Sequence, residues 1–251
     1  MADSQYQVGS RCKEVPWYED ALVEIDTPAR DLLENYSRYA AHEVVPSVNE
    51  MRDQIWDVYP WPCVGGFRFL DLALSRQDLR KYVGLEVQRE FIHLAYKLFR
   101  DGDGDGDGPG HLKAHFVAGD LFDRAEPQLL AVQGTFGIVN MGQILHIWDR
   151  EGQLAACRRV VELLRPEPGS IIVGQCVGHL DGVESHGSGR KGTFQHNVET
   201  FRSMWDELSR QTGTSWEVHA RLEKSPVIGG EGKRNWSSPS VRRLVFSVER
   251  R

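Results

Sequence analysis

The sequence predicts an α/β fold: a mostly parallel sheet covered by helices, with an antiparallel pair at one edge and an N-terminal helical extension. Two patterns carry this reading. Short apolar runs such as Tyr82–Val87 (YVGLEV) and Ser170–Val177 (SIIVGQCV) alternate with amphipathic segments of helical length, as buried parallel strands do when crossover helices join them. The last two runs, Ser215–Leu222 and Val241–Val248, have no helix between them, so they are expected to pair antiparallel at an edge.

The elements follow in order. Thr27-Pro28 is a helix start signal, and Leu32, Leu33 and Tyr36 recur at helical spacing over 31–39. A second helix is predicted over 42–59, with Val44, Val45, Val48, Met51, Ile55 and Trp56 on one face and Pro60 and Pro62 ending it. Trp56, Tyr59 and Trp61 read first as core packing; the sharper alternative is a lid in which Trp56 and Tyr59 touch an apolar substrate. Then come a strand over 82–87, a helix over 90–99, and strands over 115–118 and 135–141. A helix over 153–164, a strand over 170–177, a helix over 198–211 and the two final strands complete the chain. The expected domains are a helical extension or lid at 1–66 and the sheet domain at 67–251.

Composition narrows the function. The 251 residues carry 36 acidic against 30 basic side chains, a net charge of −6, which argues against a nucleic-acid partner. No run approaches the roughly 18–20 apolar residues of a membrane span, and MADSQYQVGSRCKE lacks the apolar stretch of a secretory signal. A cytoplasmic protein with a small-molecule substrate is expected. Cys12, Cys63, Cys157 and Cys176 are widely spaced, supporting neither a disulfide scaffold nor a zinc site. Asp101–Gly108 (DGDGDGDG) opens like a calcium loop but places Leu112 or Ala114 where a bidentate Glu is needed, so a solvated loop is expected. His179, His186 and His196 around SHGSGRKGTFQHN lack metal-ligand spacing and read as flanking a mobile loop, so no metal is expected. Arg190 and Lys191 in it read as solvated, and Ser185 and Ser188 have no nucleophile-elbow context. Arg242, Arg243, Arg250 and Arg251 read as a charged strand edge.

Ligands of open α/β sheets bind beyond the carboxyl ends of the strands. Glu86 ends YVGLEV, where a carboxylate can accept both hydroxyls of a ribose. Asp120 in FVAGDLFD can take an adenine amine while Leu121 and Phe122 pack the ring, or it can simply cap the following turn. Asn140-Met141 with His146, and the glycines of Gly174–Gly178 (GQCVG), mark two further strand ends.

Several stretches together resemble the class I AdoMet-dependent methyltransferases of fungal terpenoid and meroterpenoid pathways. They are DLLENYSRYAAHEVVPSVNEMRDQIWDVYPWPCVGGFRFLDLALS, GLEVQREFIHLAYKLFRD, KAHFVAGDLFD, GQILHIWDREGQLAACRRVVELLRPEPGSIIVGQCVG and FQHNVETFRSMWDELSRQTGTSWEV. They cover most of the chain in family order. The resemblance implies a Rossmann-like methyltransferase sheet and O-methylation of a terpenoid- or polyketide-type intermediate by in-line displacement on S-adenosyl-L-methionine. By position, Glu86 would hold the cofactor ribose, Asp120 and Leu121 the adenine, and Asn140 and Met141 the methionyl part. Trp148 would line the substrate pocket, and His146 or His196 would serve a hydroxyl acceptor as base.

One departure accompanies the match. The family carries a strand and a glycine-rich turn of the type LDLGCCFGQDLRK before the segment matching Glu86. Here Ser75-Arg76 run directly into Gln77-Asp78-Leu79-Arg80-Lys81. Phe67–Leu74 cannot replace that strand in parallel, because the seven residues Ser75–Lys81 are too few for a crossover, which takes roughly a dozen or more. The sheet is therefore expected to lack one strand, and cofactor binding to be weakened or lost. Besides the methyltransferase, the sequence leaves open a methyltransferase-like cyclase or isomerase working without AdoMet, and a silent partner that dimerises with an intact relative. A homodimer is also possible on this reading.

Overall fold

The computed structural model describes residues 11–15, 18, 22–60, 82–102, 112, 114–185, 192–225 and 238–251. The expectations for Trp61, Cys63, Phe67–Leu74, the 66/67 boundary, Asp103–Gly108, His186, Ser188, Arg190 and Lys191 lie outside these residues. The chain forms two compact units, one over 6–120 and one over 121–251 with 1–5.

In the N-terminal unit, helix α1 (Thr27–Asp31) runs into a π-helical turn at Leu32–Tyr36, followed by α2 (Ala41–Val58). The Glu43 carboxylate accepts the Ala40 N–H at 3.0 Å and holds the α2 N-terminus. The apolar face read from the sequence is buried: Val44, Val48, Met51 and Ile55 pack with Leu33, Leu98 and Phe99. Strand β1 (Val83–Glu86), helix α3 (Arg89–Phe99) and strand β2 (His115–Ala118) complete this unit. β1 and β2 pair in parallel, Val83 opposite His115 and Glu86 opposite Ala118. Asp101, expected in a solvated loop, is buried. Its carboxylate accepts the Tyr36 hydroxyl at 3.0 Å, and burial together with that carboxylate pushes the Tyr36 pKa up.

The C-terminal unit holds α4 (Pro127–Ala131), β3 (Ile138–Gly142), a 3-10 turn at Leu145–Ile147 and α5 (Arg150–Leu163). It continues with β4 (Ile171–His179), β5 (Val183–Ser185), β6 (Thr193–Gln195), α6 (Val198–Thr212), β7 (Trp216–Glu223) and β8 (Val241–Arg250). Its main sheet has the order β3-β4-β8-β7; β3 and β4 are parallel, and β8 is antiparallel to both of its neighbours. β8 is thus an interior strand and β7 the edge, which corrects the charged-edge reading of its arginines. Arg243 instead reaches Glu223 on β7 at 2.6 Å, and the Arg250 guanidinium lies 5.0 Å over the Trp216 ring. β5 and β6 form a separate antiparallel ribbon, missed in the sequence because each strand is only three residues long.

Helices α5 and α6 share one core with the sheet. Leu154, Cys157, Val160 and Phe201, Met204, Trp205 meet Ile172, Cys176, Leu244 and Phe246. Burial pushes both thiols up, Cys176 to about 12, so they are apolar filling rather than nucleophiles. Asn197 and Thr200 cap α6 reciprocally at 2.8 and 3.0 Å, and Gly213 ends it at φ +65°.

The β1–β2 pair and the four-stranded sheet are separate. A doubly wound sheet has the order 3-2-1-4-5, its first strand joining the halves at the switch point. Here β1 pairs with β2 on one unit and β3 with β4 on the other, and among the described residues neither β1 nor β3 has a partner strand on its second side. Ile138 on β3 is apolar and 67% exposed.

The glycines of GQCVG serve this packing. A Cβ at Gly174 would lie 2.5 Å from the Met141 carbonyl oxygen and 2.6 Å from the Phe246 ring; one at Gly178 would lie 2.6 Å from the His196 carbonyl oxygen. Gly174→Ala is expected to destabilise the C-terminal unit by about 2 kcal/mol or more, read as a lower urea midpoint for the Trp205 and Trp216 fluorescence.

Candidate functional site

On the N-terminal unit, the carboxyl ends of β1 and β2 bring Glu86 and Asp120 to one rim. The Gly119 N–H donates to the Glu86 carbonyl at 3.0 Å, and Asp120 follows it, exposed. The Glu86 carboxylate accepts the Gln88 N–H at 2.9 Å. Burial pushes its pKa up, against the backbone N–H groups of Gln88 and Val87, which favour the charged form.

The other candidates lie on the C-terminal unit. Leu121 is half-buried against the core, and its carbonyl accepts the Arg159 Nε–H at 3.2 Å. Asn140 on β3 is exposed, but Met141 is a core residue, 4% exposed; strand alternation turns its side chain inward. His146 lies half-buried on the 3-10 turn beyond β3, and the Trp148 ring meets Phe122 edge-on at 5.5 Å. His196 is 1% exposed, its ring 4.7 Å from that of Phe194 and 5.7 Å from that of Phe201. Its Nδ1 shares a 3.0 Å hydrogen bond with the Thr200 hydroxyl, while Nε2 has no partner. Burial, aided by the nearby Arg150 cation, lowers its pKa to about 4, so the ring is neutral at neutral pH.

The backbone brings Trp148 and His196 into one cluster. The Phe194 N–H donates to the Trp148 carbonyl at 2.9 Å, and the Gln153 carboxamide donates to the carbonyls of Trp148 at 3.0 Å and Phe194 at 2.7 Å. Gln153, Phe194 and Arg150 were not singled out in the sequence. The one available signal was a carboxamide on the otherwise apolar face of α5.

Trp56 is not a pocket residue. It is 1% exposed, its indole N–H donates to the Arg11 carbonyl at 3.2 Å, and Tyr18 packs edge-on at 4.8 Å. Tyr59 at the end of α2 is 38% exposed.

The donor set fits a nucleoside and does not fit the whole of AdoMet. Glu86 and Asp120 supply acceptors for ribose hydroxyls and an adenine amine. The amino-acid tail needs backbone N–H donors from a glycine-rich turn between a strand and a helix. The described residues hold no such turn before Glu86. Among the described residues no three His, Cys, Asp or Glu side chains group as a metal site, and no helix is long and apolar enough to cross a membrane.

Residues 17–70 match the family model of the meroterpenoid methyltransferase N-terminal domain. The chain is 32% identical to O-methyltransferase atr3 of Stereocaulon alpinum over 280 residues, covering 95% of this chain and 77% of that one. It is 30% identical to O-methyltransferase phiE of Fungal sp. (strain ATCC 74256), covering 95% and 93%, and 26% identical to the Asnovolin E/Chermesin D methyltransferase nvfJ of Aspergillus novofumigatus, covering 83% and 87%. Among solved structures, a SAM-dependent methyltransferase from Archaeoglobus fulgidus aligns with a TM-score of 0.44 at 12% identity over 74% of this chain and 82% of that one. The [4+2]-cyclase SpnF aligns with a TM-score of 0.48 at 12% identity over 86% and 85%. The 280 positions shared with atr3 fall on 95% of 251 residues, about 238, so about 40 positions face gaps in this chain.

His196 makes stability depend on pH. Its pKa is about 4 folded and about 6.5 unfolded, so below about 6.5 the unfolded chain binds the extra proton. Stability is full above that pH, falls as pH drops towards 4, and levels off below, a loss of at most about 3 kcal/mol. Urea titrations of the wild type and His196→Gln are expected to differ in slope only across this window.

Proposed function

The chain belongs to the O-methyltransferase family of fungal secondary metabolism, and we propose that it acts on a carboxylate or hydroxyl of a terpenoid- or polyketide-type intermediate. The observation that carries this reading is 32% identity to an O-methyltransferase across 95% of the chain. The match of 17–70 to the family's N-terminal domain supports reading the first 66 residues as that domain.

The acceptor side belongs to the C-terminal unit in this reading. Trp148 offers an aromatic wall beside Phe122. A carboxylate acceptor is ionised at neutral pH and needs no base; a hydroxyl would pass its proton to His146 or to His196, whose neutral ring has an unpartnered Nε2. The donor side is reduced. Glu86 and Asp120 hold the nucleoside of AdoMet, and nothing among the described residues grips its amino-acid tail. We place the missing 40 or so positions between Arg76 and Gln77, where the family carries its switch-point strand and glycine-rich turn. That same absence favours a second reading, a cyclase or isomerase that uses the acceptor pocket without AdoMet.

Calorimetry separates the readings. If the nucleoside alone is held, S-adenosylhomocysteine and methylthioadenosine bind with affinities within about threefold of each other, since the tail adds under 1 kcal/mol. A homocysteine compound bound a hundredfold tighter than methylthioadenosine would show an intact cradle. Binding of neither would remove the transferase reading. Glu86→Ala is expected to weaken both ligands about tenfold or more, through loss of charge-assisted bonds. Grafting the phiE segment between Arg76 and Gln77 should selectively raise the affinity for S-adenosylhomocysteine.

A further inference from the structure

We infer that Gln153 is a positioning residue of the acceptor side, a clasp that ties the segment carrying Trp148 to the segment carrying His196. The inference rests on the reading of those two residues as substrate-facing. Gln153 lies in the first turn of α5, fully buried, on a face otherwise formed by Leu154, Ala156, Cys157 and Val160. A leucine or methionine there would pack without any polar group to satisfy. The carboxamide instead directs its Nε2 to two carbonyl oxygens, of Trp148 at 3.0 Å and of Phe194 at 2.7 Å. With the Phe194 N–H on the Trp148 carbonyl at 2.9 Å, two hydrogen bonds join the start of α5 to β6, and the third ties Gln153 back to Trp148.

Each end of the clasp carries a ring of the candidate site. Trp148 is one of the bonded residues and presents its indole to Phe122. Phe194 is the other, and its ring packs 4.7 Å from that of His196, two residues on. Gln153 Oε1 is buried with no partner, a cost that an apolar residue would avoid. The carboxamide is therefore better explained by the two carbonyls it fixes than by packing.

The test uses the full chain labelled with 5-fluorotryptophan, the Trp148 line being assigned by its loss in Trp148→Phe. Gln153→Met keeps the bulk and removes both donors. It is expected to shift and broaden the Trp148 fluorine line and leave the Trp205 and Trp216 lines, from the core of the same unit, in place. Hydrogen exchange of the Phe194 amide, slow in the wild type, should become about tenfold faster or more. An unchanged Trp148 line, or equal movement of all three lines, overturns the clasp. So does a Phe194 amide that already exchanges freely in the wild type, a measurement that needs no folded variant. Failure of the acceptor-side reading would show elsewhere, as absence of methyl transfer to carboxylic or hydroxylic terpenoids from a protein whose fluorine spectrum still reports the clasp.

Discussion

Hydrogen-bond continuity is the constraint behind the architecture. A parallel strand at the switch point of a doubly wound sheet bonds to a neighbour on each side, and the turn after it gives the pyrophosphate or its counterpart a set of backbone donors. One strand therefore both joins the sheet and forms the cofactor cradle. Among the described residues β1 bonds only to β2 and β3 only to β4, and no glycine-rich turn precedes Glu86. An O-methyltransferase 32% identical to this chain carries about 40 positions that face gaps here.

The C-terminal unit keeps its sheet because its long-range pairing does not pass through that strand. β8 lies between β4 and β7 and bonds to both along most of its length. Gly174 and Gly178 let the Met141 and His196 backbones approach β4 closely, and the core of α5 and α6 covers Ile172, Leu244 and Phe246. The acceptor-side candidates His146, Trp148 and His196 all lie on this unit. The nucleoside acceptors Glu86 and Asp120 lie on the other.

Burial decides the chemistry of individual groups. The same desolvation that keeps His196 neutral makes Cys157 and Cys176 unreactive and raises the pKa of Glu86. It also makes the Gln153 carboxamide informative, since a polar group so deep in a helix face is held there by what it bonds. Asp101 is the counterpart in the N-terminal unit, a carboxylate whose Asp-Gly repeat suggested solvent and whose partner is the Tyr36 hydroxyl.

Much of this was legible along the chain because helix and strand periodicity is local. The face of α2 from Val44 to Ile55, the strand at His115–Ala118 and the helix from Val198 lie where their patterns place them. Glu86 and Asp120 lie at strand ends, as their sequence places them, because a strand end is a local feature. Which strands become neighbours was not legible. β8 proved interior rather than an edge, because order in a sheet depends on contacts between residues far apart in sequence. The bond from Gln153 to Phe194, 41 residues away, is of the same kind. The sequence by itself determined most of the elements and the family, whereas only the tertiary structure decided which polar groups lost their water and what they bonded to instead, because desolvation depends on every surrounding segment at once.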